Sequence, residues 1–335
     1  MDLRQLQYFV AIVEAGSFTK ASESLHVAQP ALSQHLRAME ADFGVELLVR
    51  HPRGVWPTDA GARLLEHARE IDLRFAGLKD HVRGPQTPSG EVRFGMPGTI
   101  SEQLGVPLIE AAQKLFPDVR IRISEAMSGY VLGWLRQGTV DLAMLYNVAD
   151  EKNLRLHHAL TEEIHLFGQS GMAKSPSGDA VTLQSALRLP LVLPGRTHGL
   201  RELIEVAAST IGRSVSPAIE IDSYRHIKQL AARGLAFGML PETAVRQEVG
   251  NGIFQAWRIS RPVLMRRIFL GYQARAPLSN ASRAIGQLSW NILKGLVDSG
   301  GWTAVWNNRE ILNLYMPVVV NSPRLAIPAE KTITL

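Results

Sequence analysis

The chain has 335 residues, 46% of them hydrophobic, with 36 Lys/Arg against 31 Asp/Glu, a formal net charge of +5 and no cysteine. That length supports two or three cored domains, and the lack of cysteine excludes disulfides and thiolate metal sites and fits a reducing cytoplasm. The opening Met1-Asp2-Leu3-Arg4-Gln5 lacks the apolar core of a signal peptide, and no apolar run reaches the length of a membrane span.

The first segment predicts three helices and a wing. Leu6, Phe9, Val10 and Val13 form an apolar stripe on a helix ending at Gly16. Ser17 is the expected N-cap of a short second helix carrying Phe18, Ala21 and Leu25. After a tight turn at His26 and Val27, Pro30 opens a third helix, where its missing N–H is no loss. Leu32, Leu36, Met39 and Phe43 recur at helical spacing and predict its buried face. Gln29, Ser33, Gln34 and Arg37 fall opposite, with side chains that hydrogen-bond base edges or phosphates in a major groove. Leu47-Leu48-Val49, the basic turn Arg50-His51-Pro52-Arg53-Gly54, and Val55-Trp56-Pro57 predict a strand, turn and strand. Three helices alone also fit a small bundle. The wing and the polar face favour a helix-turn-helix with Gln29, Pro30, Ser33, Gln34, Arg37, Arg50 and Arg53 as its DNA-binding residues. Residues 1–84 hold ten Lys/Arg and eleven Asp/Glu. Contact with DNA therefore rests on local groups, chiefly Arg37, Arg50 and Arg53, rather than on a basic field.

Beyond residue 60, Leu64, Ala68, Ile71, Phe75, Leu78 and Val82 recur in steps of four and three, a heptad pattern. A helix packed on its own chain shows the same stripe. The surrounding Glu66, Arg69, Glu70, Asp72, Arg74 and Lys79 favour a dimer seam. Gly84 to Gly90, rich in Pro and Gly, reads as a hinge.

From Val92 onward strands and helices alternate. Val92–Met96, Val119–Ile123 and Val140–Leu145 are expected strands, with helices between them ending near Phe116 and Gln137. A second set begins near Ile164 and includes Leu191–Leu193, a helix at Leu200–Ala208, Ile219–Ile221, a helix at Tyr224–Ala232, and Ala236–Leu240. Arg267–Gly271 and a helix from Ala281 to Leu296 are expected to return to the first set. This is an α/β plan with two mostly parallel sheets. Ligands in such sheets sit at the carboxyl ends of strands, against helix N-termini. That rule selects Thr99, Ser101, Ser128, Tyr146, Arg196 and Thr197, residues that also serve as ordinary caps and turns. No phosphate-binding loop or nucleophile elbow occurs, and His157 and His158, beside Glu162 and Glu163, point to opposite faces of a strand. No cofactor, metal site or catalytic set is therefore assigned.

Residues 1–61 closely resemble the N-terminal domain of LysR-type transcriptional regulators. The matching residues are Leu6, Phe9, Gly16, Ser17, Ala21, Leu25, Gln29 to Ser33, Leu36, Leu47-Leu48, Arg50 and Thr58 to Gly61. The resemblance extends to about residue 298. It departs at Ser22, where a small apolar residue is usual, and at Ala28, where a capping Ser or Thr is common; the latter costs about 1 kcal/mol of capping. The resemblance implies a winged helix-turn-helix over 1–60, a dimerising linker helix over 61–84 and a hinge over 85–90. It further implies a sensor similar to periplasmic solute-binding proteins, with lobe I over 91–163 and 266–298 and lobe II over 164–265. Residues 299–335 form an extension with no assigned role. The implied partners are promoter DNA with inverted repeats, RNA polymerase, a second or further copies in a homodimer or homotetramer, and a small-molecule effector between the lobes near Thr99. A narrower resemblance, carried by His26 to Gln34, Arg53 to Gly61 and Met96 to Thr99, is to the nitrogen assimilation control branch, some of whose members act without a coinducer. Effector site and structural cavity both stay open as readings of the interlobe space. The alternative, an α/β enzyme or small-molecule-binding protein without DNA binding, lacks an export signal or a converging catalytic set.

Overall fold

The structure is a computed structural model and describes residues 1–51, 54–83, 87–196, 198–274 and 277–308. Helix α1 (Leu3–Ala15) opens with a capping box between Asp2 and Gln5 and ends at Gly16 in the left-handed region. Helix α2 (Phe18–Leu25) is capped by Ser17. Helix α3 (Gln29–Phe43) has Pro30 in its first turn, and Ala28 supplies no side-chain cap. Strands β1 (Leu48–His51) and β2 (Gly54–Pro57) pair antiparallel as a wing. Leu6, Phe9, Ile12, Leu32, Leu36 and Met39 are buried together. Phe43 differs from expectation: it is 45% exposed, because α3 ends beside it at the left-handed Gly44. The wing is locked to the first turn, where Val55 N–H donates to the Gly16 carbonyl at 2.9 Å. Gly54 has φ +141°, and a Cβ there would lie 2.8 Å from the same carbonyl oxygen, so no other residue fits.

Helix α4 (Asp59–Arg83) is continuous over 25 residues. Its first half corrects the heptad expectation. Ala68 is 1% exposed inside the DNA-binding core, and Leu64 packs on that core too. Arg69 pairs with Glu14 at 3.0 Å, and Gln7 donates to Asp72 at 2.7 Å. A 3.5-residue stripe cannot distinguish packing on the chain's own α1 from packing on a second copy. Farther along, Ile71, Phe75 and Val82 are exposed. The side chain of Leu78 lies outside the described residues.

The remaining elements, in order, are β3 (Gly90–Pro97), α5 (Gly98–Leu115), β4 (Val119–Ala126), α6 (Ser128–Arg136), β5 (Leu142–Tyr146), β6 (Leu154–Gln169), β7 (Ala180–Thr182), α7 (Leu183–Ala186), β8 (Leu191–Leu193), α8 (Gly199–Thr210), β9 (Ile219–Glu220), α9 (Tyr224–Ala232), β10 (Phe237–Pro241), α10 (Glu242–Gly250), β11 (Phe254–Ser260), β12 (Met265–Gln273), α11 (Asn280–Asp298) and β13 (Ala304–Trp306). They make two α/β lobes. In the first, β4, β3 and β5 run parallel and β12 closes antiparallel on β5. Phe94, Met96, Leu104, Ile285 and Trp290 belong to its core. In the second, β10, β8 and β9 run parallel over a core that includes Phe167, Leu193, Ile204, Phe237 and Trp257.

Strand β6 belongs to both lobes. Its residues 154–163 pair with β12, and residues 164–169 pair with β10 and β11. The chain crosses between the lobes inside one 16-residue strand, not in a loop. The residues after α11 are not a loose appendage either. Trp302 is 2% exposed in the first core, β13 pairs with Leu160 to Glu162, and Trp306 stands edge-on to Trp290 at 5.1 Å. Residues 309–335 lie outside the described residues. Among the described residues, no helix is long and apolar enough to cross a membrane.

Candidate functional site

Two surfaces carry the chemistry. The first is the outer face of α3. Gln29, Pro30, Gln34 and Arg37 are exposed on it and Ser33 is half-buried, while Leu32, Leu36 and Met39 fill the core behind. Three to four residues separate Gln29, Ser33 and Arg37, and four separate Pro30 from Gln34, so all five form one outward row. A row of amide, hydroxyl and guanidinium groups on a helix held rigid from behind suits the pattern of donors and acceptors in a major groove. Arg50 is also exposed, and its guanidinium rests on the Phe18 ring at 4.6 Å. The stacking places that charge beside the start of α2. Arg53 lies outside the described residues.

The second is a cavity of about 740 Å³ between the lobes. It opens at the carboxyl ends of β3, β4, β5 and β8, where open α/β sheets offer helix N-termini. Thr99 at the start of α5 and Tyr146 at the end of β5 line one side, and His198, Tyr224 and Lys228 line the other. The lobes touch at its edges. Ser128 Oγ accepts from Gly199 N–H at 3.3 Å. A Cβ on Gly98 would lie 2.6 Å from the Tyr224 ring.

The floor of the cavity is a closed polar network. The Thr99 and Tyr146 hydroxyls are 2.5 Å apart, and Arg266 Nη2 donates to Thr99 Oγ1 at 3.2 Å. Arg266 Nε donates to Glu162 Oε1 at 2.8 Å, and Trp302 Nε1 donates to Glu162 Oε2 at 2.9 Å. Burial pulls the Arg266 guanidinium toward lower pKa, but the Glu162 charge outweighs it and holds the group above its ordinary value. Burial pushes the Tyr146 hydroxyl up to about 12, with the Arg266 charge opposing. Both groups therefore keep one protonation state across physiological pH.

Comparison with known proteins is decisive for this arrangement. Residues 3–62 match the family model of the bacterial regulatory helix-turn-helix protein, lysR family, and residues 85–290 match that of the LysR substrate binding domain. The chain is a LysR-type transcriptional regulator. It is 33% identical to the nitrogen assimilation regulatory protein Nac of Escherichia coli (strain K12) over 89% of this chain and 97% of that protein. Among solved structures, it resembles a full-length OxyR variant from Pseudomonas aeruginosa with a TM-score of 0.73 at 22% identity, covering 88% of this chain and 95% of that one. It also resembles full-length CbnR complexed with its target DNA, with a TM-score of 0.50 at 22% identity, covering 88% and 100%.

Within this LysR-type regulator, the residues expected at the effector site divide. Thr99 and Tyr146 line the cavity, but their hydroxyls are already engaged with each other and with Arg266. Ser128 is buried and spent on the lobe contact. Ser101 is not among the cavity-lining residues, because one step along α5 turns it away from Thr99. Arg196 is 78% exposed beside Glu205 and is likewise absent from the wall, so it does not face Thr99 across the cleft. Thr197 lies outside the described residues. Sequence reasoning missed Glu162, Arg266, Tyr224 and Trp302.

His198 adds a pH-sensitive joint. Its Nδ1 accepts from Leu200 N–H at 3.1 Å and so caps α8 in the neutral form. Burial, and then the Arg266 charge, push its pKa down to about 4 from the ordinary 6.5. Between these values the unfolded chain binds the extra proton, so this stability is complete above pH 6.5 and is lost as pH falls toward 4. The gap is worth on the order of 3 kcal/mol. Denaturant unfolding at pH 7 and pH 4.5 should show the loss in the natural protein and a smaller one in His198→Asn, whose amide caps without titrating. Equal losses in both would refute the assignment.

Proposed function

We propose that this regulator acts in the cytoplasm as a homodimer, or as a pair of dimers. The exposed stripe on α4 joins the protomers, and their α3 helices enter successive major grooves of an inverted repeat in promoter DNA. RNA polymerase is the partner through which bound protein changes transcription. The interlobe cavity is the sensing site, and the similarity to Nac supports a role in nitrogen assimilation. The observation that carries the DNA-binding geometry is the single outward row of polar side chains on α3.

Genome-wide mapping of bound DNA would supply the operator, and binding assays on that operator then separate two kinds of contact. Gln34→Ala is expected to lower specific affinity by roughly 1–3 kcal/mol per lost base contact, with nonspecific binding unchanged. Arg50→Ala is expected to weaken binding to all sequences alike and to reduce the salt slope by about one. If Gln34→Ala lowers specific and nonspecific binding equally, α3 is not read out in this way.

A further inference from the structure

The sensing cavity already holds a carboxylate of the chain's own. Arg266 and Glu162 stand directly opposite each other on β12 and β6, and both are 1% exposed. Arg266 Nε and Nη2 both donate to Glu162 Oε1. The second carboxylate oxygen is held by Trp302, from the segment that follows α11. On its other side the guanidinium reaches the cavity, where it meets Thr99 and lies 3.8 Å from the centre of the Tyr146 ring. A cation beside a hydroxyl at the start of a helix is what an anionic ligand requires. Here the charge of that cation is matched from inside the sheet. The rest of the wall is acidic on balance. Lys228 is tied to Glu248 at 2.6 Å, and Glu102, Glu125 and Asp222 line the same space as Arg225.

We propose that Glu162 is a resident ligand of this sensor: its carboxylate occupies the seat that an anionic effector would take, Trp302 fixes it there, and the two lobes keep their arrangement without a bound anion. The proposal rests on the sensing role assigned to the cavity, and it specifies the chemistry of that role. A carboxylate-bearing effector meets an arginine whose charge is already satisfied and a wall that repels it. The regulator's output then follows its abundance, not the concentration of an organic acid. The segment after α11 acquires a task as well, since it carries the indole that holds Glu162.

The test uses the purified full-length chain and sodium acetate as the probe, with sodium chloride at equal ionic strength as the control. The natural protein is expected to show the same melting midpoint in both salts. Glu162→Ala leaves Arg266 buried without its counter-charge and should melt roughly 5–10 °C lower in chloride. Acetate at tens of millimolar should restore much of that loss, because it refills the vacated seat. Glu162→Gln keeps the shape, removes only the charge, and covers the case in which Glu162→Ala does not fold. It too should gain an acetate-specific stabilisation, and Arg266→Met added to it should abolish that gain. The proposal is overturned if the natural protein is itself stabilised by acetate through Arg266, or if no folded Glu162 variant distinguishes acetate from chloride. These readouts do not involve DNA. A reporter driven by the native promoter tests the sensing role separately: a response to organic acids that survives in the natural protein would sink the resident-ligand reading even if the variants bind acetate.

Discussion

Replacing Ile71 and Phe75 together with Glu is expected to give a folded monomer that has lost its affinity for an inverted repeat. Ile71 is 41% and Phe75 38% exposed on the single chain, so about two-fifths of each side chain remains for a partner to cover. Full burial of such a side chain contributes about 1.5–3 kcal/mol. Two-fifths of that, at two positions on two protomers, comes to about 2–5 kcal/mol, at least some thirtyfold in the dimer constant. Four carboxylates facing one another across the seam add a further penalty. Folding should survive, because both positions already tolerate water. Ala68→Glu is the contrasting variant. At 1% exposure within the DNA-binding core, it is expected to unfold that domain rather than to separate protomers. Sedimentation of Ile71→Glu/Phe75→Glu decides the matter; an intact dimer would move the interface elsewhere.

The same helix shows what a periodic pattern can and cannot specify. The apolar repeat predicts α4 and its buried face, but the repeat is identical whether the neighbour is α1 or another chain. The two answers apply to successive turns of one helix: Leu64 and Ala68 are internal, while Ile71, Phe75 and Val82 face outward. The winged helix-turn-helix was legible because each boundary has its own chemical signal: Asp2, Ser17, Gly16, Pro30 and Gly44 all sit at helix ends. The path of the chain between the lobes was less legible. Strand β6 carries Arg155, His157, Glu162 and Glu163 and so reads as solvated over its first half.

Part of the cavity floor was nevertheless written in the strand alternation. On β6, Leu160, Glu162, Ile164 and Leu166 share one face, and the three apolar members are fully buried. On β12, Arg266, Ile268 and Leu270 share a face in the same way. A charged residue at the buried phase of each of two strands is a signal for an internal ion pair, because neither charge is tolerable there alone. What the sequence could not supply was the register that sets Arg266 opposite Glu162, or the return of Trp302 to the same point.

The choice between two arginines five residues apart yields the second large expected effect. Turn chemistry selected Arg196 to hold an anion, yet Arg196 is 78% exposed and only loosely placed, 3.7 Å from Glu205. The arginine that organises this lobe is Arg201, 1% exposed at the start of α8. Its guanidinium donates to Glu205 at 2.9 Å, to Glu220 at 2.8 Å, to the Pro194 carbonyl at 3.2 Å and to the Val215 carbonyl at 3.4 Å. It thereby ties the turn after β8, the end of β9 and the loop after α8 into one unit. Arg201→Ala removes all four bonds, leaves two buried carbonyls without a donor, and opens a void where the stem was packed. Losing one partner of a buried ion pair costs about 3–5 kcal/mol. The lower end applies here, because Glu205 and Glu220 are 36% and 51% exposed and regain water when the arginine is gone. Arg196→Ala, by contrast, should change stability by no more than about 0.5 kcal/mol, as for other exposed pairs. Parallel denaturant titrations of the two variants would show a midpoint displaced by Arg201→Ala alone, with lobe II unfolding first. Equal midpoints would mean that the Arg201 network contributes nothing net, and that the Pro194 turn is held by the apolar packing of Leu193 and Leu200 instead.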